Sequence, residues 1–154
     1  MHRQRIYVDT SVIGGCFDPE FAADSLALIE MARKGEITLL TSALLAKELA
    51  DAPAAVRAVM SSLPDDVRET VVTTEEIQSL LRAYMEARVV NHESEDDALH
   101  VAIATVHRAD LIVSWNFKHF VNVERIRRFN VVNLQQGFHP VDIRSPKEVI
   151  RHED

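Results

Sequence analysis

Short apolar runs alternate with stretches of helical periodicity along most of the chain. The runs at 5–9, 36–40 and 111–115 are rich in β-branched, aromatic or aliphatic residues, which predicts strands, and a further brief strand is expected near residue 71. The run LIVSW at 111–115 has almost no polar side. That composition is typical of a strand inside a parallel sheet whose two faces are both covered.

Helical spacing of apolar residues fills the intervening segments. From Ala98 to Val106 the chain is apolar nearly all round, which predicts a central helix covered on several sides. Ser94 precedes this helix and Asp97 follows three positions later, a spacing close to that of a capping box. The segment 122–134 predicts a short helix and then one more strand. Other helices are predicted over 21–34, 41–53, 54–62, 74–90 and 145–149.

Hydroxyl residues mark two of the expected helix starts. Thr41 or Ser42 is a candidate N-cap for the helix over 41–53, and Thr74 for the helix that follows it toward residue 90. Side-chain oxygens of such residues accept hydrogen bonds from the first helical N–H groups, which otherwise have no partner.

Strands that alternate with helices indicate a parallel sheet with helices on both faces. We therefore predict a three-layer α/β/α fold with a central parallel sheet of four to five strands. A chain of 154 residues suits one hydrophobic core, so residues 1–154 are expected to form a single domain, with a short C-terminal extension from about residue 136. Ligands of such folds bind beyond the carboxyl ends of the strands.

Charge and composition narrow the function classes. The net charge of −7 argues against a protein that coats nucleic acid through a broad basic surface, but an enzyme that acts on phosphodiesters through a metal ion is compatible with it. Cys16 is the only cysteine, which excludes an intrachain disulfide and a zinc site built from several cysteines. No run approaches the ~20 apolar residues of a membrane span, and a cytoplasmic protein is expected.

Three acids are placed where a parallel α/β fold would gather them. Asp9 follows the first predicted strand, Glu48 lies in the helix after the second, and Asp97 opens the central helix. Each has an ordinary alternative: Asp9 can cap a helix that starts at Thr10, Glu48 can be a solvated helix residue, and Asp97 or its neighbour Asp96 can complement the helix dipole.

Asn116 directly follows the strand at 111–115, where it is either a turn residue or a further polar group of the same cluster. The carboxyl ends of parallel strands and the N-termini of the helices next to them share one edge of the sheet. Three or four oxygen ligands that converge there would suit Mg²⁺ or Mn²⁺, since both cations favour carboxylate, carbonyl and water oxygens.

The motifs YVDTSVI, LAKEL, DALHVAIATVHRADLIVSW and NFKHF resemble those of PIN-domain nucleases, the family that includes VapC-like toxins of toxin–antitoxin pairs. The similarity of pattern spans roughly residues 5 to 135, and its most specific part is the block from Asp97 to Asn116. The resemblance implies a PIN-like fold, metal-assisted hydrolysis of RNA with Mg²⁺ or Mn²⁺, a cognate antitoxin protein and a homodimer.

The resemblance also assigns the site residues. It implies catalytic and metal-binding roles for Asp9, Glu48 and Asp97, with Asp96 as the less favoured substitute for Asp97. Thr10 and Ser11 match polar residues that help to fix metal or phosphate.

The fourth position departs from the family pattern. Many members carry an acid in the loop after the last core strand, whereas this loop reads SWNFKHF, with Asn116 at the first polar place and His119 where the later acid often stands. Three acids then remain, which weakens the case for a second metal, because two-metal chemistry uses several bridging carboxylates. An Asn carbonyl or a water can still complete a Mg²⁺ shell.

Basic residues lie in or after the same loop. Lys118 and the arginines of 125–128 can contact backbone phosphates or simply form a solvated helix face. His100 lies one turn beyond Asp97, where a partly buried, hydrogen-bonded histidine is a more usual finding than a metal ligand.

Two rival functions remain open. A catalytically weakened PIN-fold module that binds RNA or protein is suggested by Asn116. A haloacid-dehalogenase-like phosphotransferase would use Asp9 as a nucleophile, but that chemistry requires a second acid two positions later, where this chain has Ser11.

Overall fold

The computed structural model describes residues 3–117 and 120–150. Its centre is a five-stranded sheet in the order β3-β2-β1-β4-β5, and all four neighbouring pairs are parallel. In β1 the residues Ile6 and Tyr7 pair with β2 on one side and β4 on the other. The strands are β1 (Gln4–Val8), β2 (Ile37–Ser42), β3 (Arg68–Val71), β4 (Leu111–Val113) and β5 (Ile143–Arg144).

Eight α-helices surround the sheet in the described parts of the chain. Two 3₁₀ turns, Asp65–Val67 and His92–Ser94, lead into β3 and into α6. The helices are α1 (Thr10–Gly15), α2 (Ala22–Arg33), α3 (Ala43–Leu49), α4 (Ala54–Ser61), α5 (Glu75–Glu86), α6 (Glu95–Val106), α7 (Val123–Gln135) and α8 (Pro146–Ile150).

The sheet separates two hydrophobic clusters. On one face Tyr7, Leu40 and Ile112 pack with buried residues of α5, α6 and α7. On the other face Val8 and Val113 pack with residues of α1 to α4 and α8. Successive strand residues alternate between these faces, as the pleat requires. The predicted three-layer α/β/α architecture with a parallel sheet is therefore confirmed.

The segment expected to form a short helix and then a strand is one continuous helix, α7. Phe129, Val132 and Asn133 are buried at helical spacing while Val131 is 48% exposed, so the run Val131-Val132 does not form a strand. Strand propensity is a weak preference that the packing of a helix face can override. The last strand comes instead from Ile143–Arg144, within the part expected to be a C-terminal extension.

Two of the three predicted capping serines and threonines form a side-chain capping hydrogen bond. Ser42 and Thr74 are extended, and their hydroxyls accept from the N–H groups of Leu45 and Ile77 as predicted. Ser94 is the N-cap residue of α6 as predicted, but its side chain makes no capping hydrogen bond. Its backbone lies at φ −107° and ψ 22°, because α6 is entered through a 3₁₀ turn, and a capping side chain needs the extended conformation.

Within the described residues, no helix has both the length and the apolar character needed to cross a membrane.

Candidate functional site

The strand order creates a crevice between β1 and β4. From β1 the chain moves to β2 and β3 on one side, whereas β4 and β5 lie on the other side. In parallel α/β sheets the ligand site lies outside the carboxyl ends of the strands where the order reverses. Asp9 follows β1 directly and Ser114 follows β4 directly, so both residues stand at this crevice.

Asp9 is buried, with 5% of its surface exposed. The hydroxyl of Ser11 donates to Oδ1 at 2.6 Å, and the hydroxyl of Ser114 donates to Oδ2 at 2.8 Å. Asp9 occupies the N-cap position of α1 but makes no side-chain capping bond, so capping does not account for its carboxylate. Burial raises the pKa of Asp9, and the hydroxyl donors, together with smaller effects of His100 and the Val12 N–H, offset only part of that rise.

The two serines also hold the loop that follows β4. The backbone N–H of Trp115 donates to the hydroxyl of Ser11, and that of Asn116 donates to the hydroxyl of Ser114, each at 2.9 Å. Asp9 and the start of this loop therefore form one hydrogen-bonded unit. Ser114 had no assigned role from the sequence, although its place one residue beyond the last core strand is the same as that of Asp9 beyond the first.

Glu48 reaches the same edge from α3. The hydroxyl of Thr10 donates to its Oε1 at 2.5 Å, and Nε2 of His100 lies 2.7 Å from the same oxygen. The side chain is 27% exposed. Burial raises the pKa of Glu48, but the hydrogen bonds from His100 and Thr10 outweigh it and leave the pKa below its ordinary value. Glu48 is therefore a held carboxylate, not a freely solvated one.

His100 connects Glu48 to the interior of the sheet. Only 2% of the residue is exposed, and its Nδ1 lies 2.6 Å from the hydroxyl of Tyr7. The Tyr7 hydroxyl in turn lies 2.8 Å from the hydroxyl of Ser42. A buried chain of polar groups thus runs from Ser42 through Tyr7 and His100 to Glu48. The sequence predicted a hydrogen-bonded histidine here, but the part played by Tyr7 was missed because its apolar strand context hides the hydroxyl.

The remaining predicted site residues differ in placement. Asp97 is half-buried in the first turn of α6, one turn before His100, whereas Asp96 is exposed. Asn116 is half-buried, and its backbone carbonyl accepts from the N–H groups of Phe120 and Val121. The predicted substrate-binding residues Lys118 and His119 lie outside the described residues.

The predicted residues thus fall into two contact groups. Asp9 and Ser11 are joined through their side chains, and Glu48 is joined to Thr10, the direct neighbour of Asp9 in the chain. Asp97 is brought to the same end of the sheet by α6, because His100 in the next turn contacts Glu48.

The donors at this edge are of the kind that Mg²⁺ and Mn²⁺ prefer. Asp9, Glu48 and Asp97 offer carboxylate oxygens, and the buried charge of Asp9 is what a cation would compensate. Across residues 3–117 and 120–150, however, no three acidic, histidine or cysteine side chains are grouped as a ready metal site. The chemistry of these residues therefore fits a hard divalent cation. Since the three carboxylates are not already grouped around one point, their joint binding of one ion stays a prediction.

Replacement of Ser114 by alanine is expected to lower the free energy of unfolding by about 1–3 kcal/mol, since it leaves a buried carboxylate oxygen and the N–H of Asn116 without this partner. Chemical denaturation measures the change. The matched control is Ser61→Ala, because the Ser61 hydroxyl is exposed and donates only to a carbonyl of its own helix. A Ser114→Ala protein as stable as the control would contradict the hydrogen-bonded unit around Asp9.

Several proteins of known structure have a fold similar to that of this chain. A chain of VapBC2 from Rickettsia felis, in a crystal structure with a DNA fragment from their promoter, aligns with a TM-score of 0.59 and 12% identity over 92% of this chain and 98% of that one. A chain of FitAB bound to the IR36 DNA fragment aligns with a TM-score of 0.55 and 14% identity, over 92% and 94% of the two chains.

A chain of FitAcB from Neisseria gonorrhoeae aligns with a TM-score of 0.54 and 16% identity, over 92% and 98%. No protein-family model matches the chain, and no curated protein matches it either. Alignment over nearly the whole length of each chain confirms the PIN-like fold that the sequence motifs predicted. At these identities the likeness concerns the fold alone.

Proposed function

We propose that the protein is a Mg²⁺- or Mn²⁺-dependent endoribonuclease that hydrolyses RNA phosphodiester bonds. The observation that carries the proposal is the buried carboxylate of Asp9 at the crevice between β1 and β4, held by Ser11 and Ser114. Keeping a desolvated carboxylate costs stability, so a chain that retains one at a ligand-binding edge gains something other than stability from it.

The protein's own groups have distinct tasks in this proposal. Asp9, Glu48 and Asp97 hold the divalent ion, which when bound supplies Lewis-acid polarisation of the scissile phosphate and a more acidic water. Ser11 fixes the orientation of the Asp9 carboxylate, and Thr10 with His100 fixes that of Glu48.

Two further predicted residues supply polar contacts. Asn116 takes the fourth polar place, in the loop directly after β4, where its side-chain amide would supply a polar contact to the bound ion or to the substrate. Thr10 and Ser11 follow Asp9 directly in the chain, and we propose that their hydroxyls, besides orienting Glu48 and Asp9, also contact the substrate phosphate. Preorganised groups of this kind avoid reorganisation during the reaction.

We also propose that the protein is the toxin component of a type II toxin–antitoxin pair. The proteins of similar fold include VapBC2, FitAB and FitAcB, and the structures of the first two contain bound DNA. We infer by analogy a cognate antitoxin as partner, a homodimer and a cytoplasmic location for this chain. Co-purification with the product of a neighbouring small gene tests the partner, and light scattering of the purified protein tests the dimer.

Cleavage of a labelled single-stranded RNA in the presence of Mn²⁺ or Mg²⁺ tests the nuclease. We expect Glu48→Gln and Asp97→Asn to reduce the rate by about 100-fold or more, because each removes a proposed metal ligand and outer partners alone are worth about 10–100-fold. Glu76→Gln is the control, since Glu76 is an exposed acid in the first turn of α5, far along the chain from the site residues. Unchanged cleavage in both site variants would overturn the metal-nuclease assignment.

A weakened binding module of the same fold is the second candidate. Asn116 in place of an acid and the lack of a preassembled three-acid group among the described residues favour it. Calorimetric binding of Mn²⁺ by the wild-type protein without RNA cleavage would support this alternative over the nuclease.

A further inference from the structure

A cavity of about 500 Å³ lies between the C-terminal end of α5 and the first turns of α7. This volume is within the range of about 300–1,000 Å³ that is usual for ligand sites. Its described lining combines two apolar residues with five polar or basic ones: Met85, Arg88, Val90, Asn91, His92, Arg125 and Arg128.

Two of the arginines are held in place from α7. Arg125 and Arg128 lie one turn apart on the same helix face. Arg125 donates to the carbonyl of Val89, and Arg128 donates to the carbonyls of Arg88 at 2.5 Å and Ala87 at 3.4 Å. These carbonyls orient the guanidinium groups and leave each full positive charge in place. The arginines are therefore fixed before any ligand arrives.

The charge of the cavity is not balanced by acids. Among the described residues, no carboxylate pairs with Arg88, Arg125 or Arg128, and no acid lines the cavity. Other arginines of the chain do have acidic partners, namely Arg5, Arg33, Arg68, Arg127 and Arg144. On a chain with a net charge of −7, this cavity is a local concentration of positive charge.

Two short segments of the chain connect the lining of the cavity to the candidate site residues. His92 begins the 3₁₀ turn that leads into α6, and Asp97 lies in the first turn of that helix. On the other side, α7 begins at Val123, shortly after Asn116 in the loop beyond β4. A single RNA strand bound at the crevice could therefore also contact this cavity.

We propose that the cavity binds a backbone phosphate of the RNA, at a position removed from the scissile bond. Guanidinium groups bind phosphate through paired N–H donors, and a basic groove that follows the backbone is the usual means of holding single strands. The identity of the ligand as RNA depends on the proposed function. The bonds to the carbonyls of residues 87–89, just after α5, would alone give Arg125 and Arg128 a structural role, but they give the Arg88 side chain none.

The test is RNA binding in EDTA, so that the strand stays intact, measured by fluorescence anisotropy over a series of salt concentrations. Arg88→Gln is the variant, because Arg88 is exposed and its side chain makes no bond within the described structure. We expect about tenfold weaker binding, the loss of one charge-assisted hydrogen bond, and a log–log salt slope smaller by about 0.7.

Arg82→Gln is the matched control, since Arg82 is an exposed arginine of α5 that, like Arg88, has no ion pair within the described structure, but it does not line the cavity. We expect less than a twofold change in affinity for this protein and wild-type melting temperatures for both variants. Equal effects of the two substitutions would overturn the proposal, because they would indicate a general charge effect and not a site.

Two further binding experiments distinguish a backbone phosphate from a terminal phosphate and from an acidic peptide. Oligonucleotides with a 5′-hydroxyl and a 5′-phosphate are expected to show the same Arg88 dependence; dependence only with the 5′-phosphate would overturn a backbone site. Binding of an acidic peptide, and not RNA, in an Arg88-dependent manner would assign the cavity to a protein partner instead. Arg88-dependent RNA binding without wild-type cleavage would leave this site standing while the nuclease proposal fails.

Discussion

The Asp9→Asn protein is expected to cleave RNA about 100-fold or more slowly than the wild type. Without metal, it is expected to melt at a higher temperature than the wild type. Asp9 is nearly fully buried, and burial outweighs the hydroxyls of Ser11 and Ser114 that donate to its carboxylate. An uncharged amide removes the desolvation cost, and hydroxyls can rotate to accept as well as donate. The same change removes a proposed metal ligand.

The expected gain in stability is about 0.5–2 kcal/mol, with a rise in Tm of about 2–4 °C per kcal/mol. Its pH dependence has a defined sign. Because burial raises the pKa of Asp9, the folded wild type keeps a proton that the unfolded chain releases near pH ~4. The Asp9 contribution therefore lowers wild-type stability as the pH rises from there to the raised pKa, and the advantage of Asp9→Asn grows over that window.

Thermal melts in EDTA across pH 3.5 to ~8, paired with cleavage assays in Mn²⁺, measure both effects. Asp66→Asn is the control, because Asp66 is exposed and outside the site. An Asp9→Asn protein that is less stable than the wild type at neutral pH would show that the carboxylate stabilises the fold, and the functional explanation for its burial would then be wrong.

The His100→Ala protein is expected to lose about 2–4 kcal/mol of stability and to cleave RNA about 10–100-fold more slowly. The imidazole is buried between Tyr7 and Phe120, with ring centroids 5.6 and 6.4 Å away, so its removal leaves a cavity. It also breaks the link between Tyr7 and Glu48. Loss of such an outer partner allows a proposed metal ligand to move.

Two companion variants separate positioning from simple loss of packing. His100→Gln keeps a donor for Glu48 and is expected to recover much of the cleavage rate and of the Mn²⁺ affinity measured by calorimetry. Tyr7→Phe keeps the ring and removes the hydroxyl that His100 and Ser42 contact, at a cost of about 1–3 kcal/mol. If His100→Ala binds Mn²⁺ as the wild type does, His100 has a structural role only.

The sequence was sufficient to predict the layers and the parallel sheet, because both depend on the spacing of apolar residues. It also located Asp9 and Glu48 at a shared edge, since the place of a residue beyond a strand or within the next helix follows from topology. The helix over 122–134 was misjudged because Val131 and Val132 have strand propensity, and only the packing of Phe129 and Val132 settles which period applies.

The parts of the site that could not be predicted depend on side-chain direction. Ser114 contacts Asp9 across 105 positions of the chain, and Tyr7 contacts His100 across 93. A local sequence pattern cannot predict such pairs, because each depends on how two elements that are distant in sequence pack together. The cavity of Arg88, Arg125 and Arg128 has the same origin, since it forms only when the end of α5 meets α7.

The position of β1 at the centre of the sheet has a consequence for synthesis. Its partners arrive far apart in time, since Gln4 pairs with Ile37, whereas Ile6 pairs with Leu111. Pairing that closes so long a loop is slow and cannot begin until the later strand has been made. The crevice at Asp9 is therefore absent from the growing chain until β4 has emerged from the ribosome, and the proposed nuclease activity would stay latent until then.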